Sequence, residues 1–229
     1  MIQDIWPKHL DNQYKNLKPG NEDTVFYFQG SSLLARPSGH FNSQNPEENV
    51  LKYPQYDEFV QGIKSSYGDK AVDNFEFIYL LSIDEEHFFL ARKTGSLERG
   101  TFLGEMADSA VHKDMYSFVR GYEFIGVDSF RKAQPREHAY AAITAFHLYG
   151  WYRDNHFCGR CGKPLKHDDK QRMLRCYCCK NMVFPKICPA VIVAVTDKDR
   201  ILLTKYAGRT YRNYALIAGF TEIGETTEE

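Results

Sequence analysis

Five of the six cysteines lie between Phe157 and Pro185, and four of them fall as Cys158-x2-Cys161 and Cys176-x2-Cys179, with fourteen residues between the pairs. Two such knuckles bring four sulfurs to the corners of a tetrahedron, the geometry Zn²⁺ accepts, and the interval suffices for one short hairpin to close the loop. A disulfide framework would need an oxidising compartment, but no targeting segment is read at the N-terminus, and Cys188 sits alone in an apolar, strand-like run. Cys178 lies between Cys176 and Cys179. The two-residue gap of the first knuckle favours Cys179 as the ligand and leaves Cys178 a spare thiol. His156 and His167 could substitute, yet with four thiols available they read as surface histidines. Four thiolates leave no open position, so the metal is expected to hold structure and take no part in chemistry.

The rest of the chain must position this ribbon. At 229 residues, with 29 basic against 30 acidic side chains and 14% aromatic residues, it has the length for a real core and the balance of an ordinary globular protein. The longest apolar run, Pro189 to Val195, is far too short to span a bilayer, so no membrane role and a cytoplasmic location are expected. Charge is uneven, however. Nine Lys/Arg and three Asp lie between Arg153 and Lys186. Zn²⁺ with four thiolates would lower that formal +6 to about +4. Such a patch suits RNA or a polyphosphate, or is simply the solvated surface of a small module.

Taken in order, Thr24 to Arg36 reads as two β segments around a Gly-Ser-Ser turn, and Phe77 to Lys93 repeats that design around Asp84-Glu85-Glu86. Tyr56, Phe59, Val60 and Ile63 recur at helical spacing after Pro54, and a second helix is expected over 105–119. Residues 37–55 read as a loop. A third helix is expected from Pro135 to Asp154, with Ala139, Ile143, Phe146 and Gly150 or Trp151 on one face and His138 and His147 without evident function. It runs almost directly into Cys158 and should fix the ribbon against the preceding domain.

After the ribbon, Ala190 to Thr196 is a β-branched run expected to be buried on both faces, followed by a turn and a second strand, Ile201 to Tyr206. Tyr214 to Glu225 reads as a third strand and a glycine-punctuated loop, with Thr226 or Thr227 capping a helix. The sequence stops at Glu229, and a domain ending there is expected to be incomplete, because three strands need something laid over their second face.

These residues carry a family resemblance. Gly219-x5-Glu225, preceded by Ala-Leu-Ile-Ala, resembles the opening of a Nudix box, G-x5-E-x7-R-E-U-x-E-E-x-G-U. Together with the four-cysteine ribbon and Phe184-Pro185-Lys-Ile-Cys-Pro189, it resembles the NADH pyrophosphatase branch of the Nudix hydrolases, in layout over the whole chain and in motif from about Ala139 onward. The implied fold is α+β: an N-terminal α/β domain (1–152), a zinc ribbon (153–185) and the start of a Nudix α/β/α sandwich (186–229). The implied activity is hydrolysis of NADH or NAD⁺ to nicotinamide mononucleotide and AMP, with NAD-cap removal from RNA as a further expectation. Mg²⁺ or Mn²⁺ would neutralise the diphosphate and activate water. The family's metal-binding glutamates would begin near position 233, so these 229 residues alone are expected to be inactive.

What the resemblance implies for single residues is limited. Glu225 matches the first box glutamate, a brace for the motif; Gly219 and Gly224 match its loop glycines; the Ala218 carbonyl matches a main-chain metal ligand. Phe184 and Phe220 match aromatics near the nucleotide rings and stack there or pack, while Glu222 makes a polar contact or is plain surface. A homodimer, mediated chiefly by the N-terminal domain, is also implied. The alternative is a non-catalytic module whose basic ribbon binds RNA or a protein through Lys166, Lys170, Arg172 and Arg175.

Overall fold

The computed structural model describes residues 2–39, 50–94, 117–208 and 213–228. The chain divides into two compact units, Met1–Phe184 and Pro185–Glu229. The first unit is built on a seven-stranded sheet of β1 (Leu10–Asp11), β2 (Thr24–Gln29), β3 (Ser32–Pro37), β4 (Leu51–Lys52), β5 (Phe75–Ile83), β6 (Glu86–Lys93) and β7 (Glu123–Gly126). The order is β1-β5-β6-β2-β3-β4, with β7 also on β3; β2 and β6 run parallel and the other pairs antiparallel. Both hairpins follow the alternation of apolar residues, and the first turns at Gly30, whose φ of +56° suits the residue without a Cβ.

Every central strand feeds two cores. Phe26, Phe28, Leu33, Leu80, Phe88 and Leu90 face one side, and Val25, Tyr27, Leu34, Tyr79, Phe89 and Ala91 face the other. This is the period-two projection of a strand buried on both faces. A register shift between Tyr79 and Leu81 turns both Leu80 and Leu81 to the first side. Helix α1 (Tyr56–Tyr67) covers the second core through Phe59 and Ile63. Helix α2 (Arg136–Asp154) covers the first through Ala139, Ala141, Ala142 and Ala145, small residues that let it approach the sheet closely. Ile143 and Phe146 are only partly buried against that core, so the buried stripe is the alanine row more than the expected large side chains.

Short strands appear where a loop was expected: Leu51 pairs with Pro37 and Lys52 with Arg36. The rest of that loop, 40–49, and the expected helix over 105–119, as far as residue 116, lie outside the described residues. His138, expected to be idle, places Nε2 2.8 Å from Glu86 Oε2, while Thr24 Oγ1 donates to Glu86 Oε1 at 3.0 Å. This ties α2 to the start of β6.

The ribbon belongs to the same unit. Strands β8 (Lys166–His167), β9 (Leu174–Arg175) and β10 (Met182–Val183) form a three-stranded antiparallel sheet. Leu174 is buried in the α2-side core, with Leu165 and Val183 packed against it. Among the described residues, no helix is long and apolar enough to cross a membrane.

The second unit differs from expectation. Strand β11 (Ala190–Val193) pairs antiparallel with β14 (Ile217–Phe220), while β12 (Thr196–Asp197) and β13 (Arg200–Ile201) form a separate short hairpin. The expected strand over 201–206 shrinks to Ile201 and a bridge between Thr204 and Ala215. The helix expected after Thr226 or Thr227 lies outside the described residues, which end at 228. Instead of being buried on both faces, Ile192 is 69% exposed, because within this unit no described element lies over either face of the β11–β14 pair.

Two outcomes follow for stability. A Cβ on Gly62 would stand 2.7 Å from the Phe118 carbonyl oxygen and 3.2 Å from Val119 Cα, backbone that cannot swing aside. Gly62→Ala is expected to cost about 1–3 kcal/mol in a urea melt, despite the better helix propensity of alanine. Burial opposes ionisation of Glu86, but His138 and Thr24 hold its carboxyl below the ordinary 4.5. Its contribution is therefore full above pH 4.5 and is lost as pH falls through the lower folded value. With 40% of the side chain exposed, Glu86→Gln should cost only about 0.5 kcal/mol at pH 7, and the deficit should vanish in acid melts.

Candidate functional site

The Sγ atoms of Cys158, Cys161, Cys176 and Cys179 all lie within 4.8 Å of one another. Cys158 and Cys179 are 3.5 Å apart and Cys161 and Cys176 3.4 Å. Zn–S bonds of about 2.3 Å set the S···S edge of a tetrahedron at about 3.8 Å, so this donor set fits a tetrahedral thiophilic ion. Among the described residues it is the one group of three or more His, Cys, Asp or Glu close enough to hold a metal. Cys178 and Cys188 are exposed and stand outside it.

The two knuckles are built alike. The N–H of Cys158 donates to Lys163 O and that of Gly162 to Cys158 O, both at 2.8 Å; the N–H of Cys176 donates to Asn181 O and that of Lys180 to Cys176 O, both at 2.9 Å. Each ends on a residue with positive φ, Gly162 at +69° and Lys180 at +62°. A left-handed residue is what turns the chain back after the second cysteine. Four crowded sulfurs cannot all ionise without a cation between them. Burial opposes ionisation of Cys158, yet the N–H groups of Arg160 and Cys161 lower its thiol to about 6. Cys161 gains from the Lys163 N–H, but its contact with Cys176 and its burial push it up to about 12. A dication in the centre resolves that conflict.

His167, expected at the surface, is partly buried. Its Nε2 lies 2.7 Å from Tyr152 Oη and its Nδ1 2.8 Å from Asp168 O, and burial lowers its pKa. Arg172 also leaves the expected basic patch: one Nη donates to the carbonyls of Leu80 and Asn12, plugging the open edge of β5. Arg175 pairs with Asp168 at 3.3 Å. A cleft of about 390 Å³ remains beside these contacts, lined by Tyr14, Glu76, Arg92, Tyr152, His167 and Asp169 among others. The pairing of Arg92 with Glu76 at 3.1 Å within it suits a polar seam between sheet and ribbon.

Of the residues singled out by the Nudix resemblance, Phe184 closes the first unit and the others lie in the second. Ala218, Gly219 and Phe220 are in β14, opposite Ile192, Val191 and Ala190. Gly224 adopts φ +97°, and Glu225 folds back so that its Oε2 accepts from the Glu222 N–H at 2.7 Å while its own N–H donates to Glu222 O at 3.2 Å. That closed loop leaves one carboxylate tied to backbone and Glu222 exposed. Among the described residues, these do not gather into a Mg²⁺ or Mn²⁺ site.

No family model matches the chain. Curated relatives do: the proteins named NAD-capped RNA hydrolase NudC from Salmonella typhi, Salmonella heidelberg and Salmonella paratyphi B are each 35% identical over 82 residues. The match covers 36% of this chain and 32% of the relative, so the chain spans about a third of the length of the relatives it matches. This similarity supports the resemblance to the NADH pyrophosphatase branch of the Nudix hydrolases.

The thiolate cage makes a direct test possible. The purified chain is expected to carry one zinc per molecule by elemental analysis, and Cys178→Ser to retain it. Cys176→Ser should lose it, and chelation should lower the melting temperature of the wild type. Zinc retention by Cys176→Ser would exclude the assigned ligand set.

Proposed function

We propose that these residues form the N-terminal domain (1–152), zinc ribbon (153–185) and opening of the catalytic domain (186–229) of a Nudix hydrolase that cleaves the diphosphate of NADH or NAD⁺. The products are nicotinamide mononucleotide and AMP, and the NAD cap of RNA is a second substrate of the same reaction. One observation carries this reading: 35% identity over 82 residues to proteins named NAD-capped RNA hydrolase. The antiparallel β11–β14 pair leading into a closed glycine loop is consistent with it.

In this reading Zn²⁺ is structural and holds the ribbon closed. Glu225 braces the loop through the Glu222 N–H, and Gly224 supplies the positive φ that the loop requires. Phe220, 77% exposed on β14, offers a ring face to a nicotinamide or adenine. Phe184 is assigned the same part, and the Ala218 carbonyl a place among the ligands of the catalytic ion. In the family the carboxylates that would hold Mg²⁺ or Mn²⁺ belong to the later part of the motif, which these 229 residues do not include. A homodimer is the assembly this resemblance implies.

The test compares the 229 residues with a chain extended through the complete motif, each incubated with NADH and Mg²⁺ or Mn²⁺ and its products separated by chromatography. The extended chain should release nicotinamide mononucleotide and AMP, and the 229 residues should be at least about 100-fold slower, since the metal is what neutralises the diphosphate. Equal turnover by both would contradict the assignment of the missing carboxylates. No turnover by either would sink the hydrolase reading.

A further inference from the structure

We infer that the outer face of the ribbon sheet is a docking strip for single-stranded RNA, centred on Tyr177. The inference extends the capped-RNA reading, and rests on it only for the identity of the polyanion. In the ribbon, register pairs Lys166 with Arg175 and Arg175 with Met182, while His167, Leu174 and Val183 form the adjacent row. Neighbouring rows of a sheet face opposite sides. The row of His167, Leu174 and Val183 faces the α2-side core, where Leu174 is buried, Val183 packs against it and His167 bonds Tyr152. The row of Lys166, Arg175 and Met182 therefore faces away from the core.

That face is aromatic and basic. Tyr177 is 56% exposed, and the Lys166 ammonium lies 6.0 Å from its ring centroid, which places the ring on the outer side. Met182 and Phe184, two residues apart, are each 52% exposed. Lys180 Nζ donates to the Tyr177 carbonyl at 3.0 Å, which sets a second cation beside the backbone of Tyr177. Arg175 is screened by Asp168, which leaves Lys166 and Lys180 as the principal cations of the strip.

Large side chains left half in water contribute only part of their burial energy to so small a sheet. Spaced between cations, they match the requirement of an unpaired strand: ring faces for bases and ammonium groups for phosphates. A duplex, whose bases are already stacked, could use only the cations. An acidic protein surface would not need Tyr177.

The experiment titrates the zinc-loaded chain against a fluorescein-labelled, uncapped oligouridylate without added divalent metal, by anisotropy, at low and at physiological salt. Binding is expected at low salt. Tyr177→Ala should weaken it about ten-fold through loss of stacking. Lys166→Gln should reduce the slope of log affinity against log salt by about 0.7. Zinc content and circular dichroism verify that each variant is folded. No binding at low salt, equal affinity for a duplex of the same length, or wild-type affinity in a folded Tyr177→Ala chain would each overturn the inference. Because the RNA carries no cap and no bond is broken, these outcomes are independent of whether the extended chain hydrolyses NADH.

Discussion

Four sulfurs held within 4.8 Å of one another are the constraint on which the ribbon depends. The segment after α2 buries Cys158, Met173, Leu174 and Cys176 and little else. So few apolar groups cannot offset the entropy of ordering some thirty residues. A metal held by all four sulfurs would offset part of that cost, because its binding free energy would be folding free energy and one ion would close both knuckles together. Only with the knuckles closed do three strands of two residues each hold a register, and only a fixed register separates an inward row from an outward one.

The sheet domain supplies what the ribbon lacks. Its central strands are buried on both faces, α1 over one and α2 over the other, which makes a rigid platform. The last turn of α2 carries Trp151 and Tyr152, both buried, and Tyr152 meets His167 in the ribbon. Arg172 reaches back from the ribbon to the β5 edge at Leu80. The Tyr152–His167 contact and the Arg172–Leu80 bond thus attach the ribbon by two different chemistries. The ribbon is a part of this unit, with the row of Lys166, Arg175 and Met182 turned away from the core.

The second unit obeys another balance. It has the β-branched composition of a buried sheet, yet its pairs are short and its large apolar residues are exposed, Ile192, Phe220 and Ile223 among them. What is ordered there is local. The four-residue pairing of β11 with β14 and the loop closed by Glu225 on Glu222 both rest on hydrogen bonds between near neighbours in the fold. The chemistry that such a loop could serve is accordingly proposed from motif and similarity rather than from an assembled cavity.

The clustering of the four cysteines, both main hairpins, α1 and α2 were legible in the amino-acid order, because each is set by short-range rules: knuckle spacing, period-two alternation, and helical recurrence after a proline. Spacing alone also separated Cys179 from Cys178. Packing decided the rest. The need for glycine at position 62 comes from Phe118 and Val119, whose backbone passes within 3.2 Å of where a Cβ would stand. His138 reads as a helix residue without evident function, His167 as a surface residue and Arg172 as part of a basic patch until Glu86, Tyr152 and the Leu80 carbonyl are brought to them from 52, 15 and 92 positions away. A strand composed for burial lay exposed at Ile192 because burial needs a covering element, and composition cannot place one. Short-range order is written in the sequence; which side chains meet across the fold, and which remain in water, is set by contacts whose partners lie far apart along the chain.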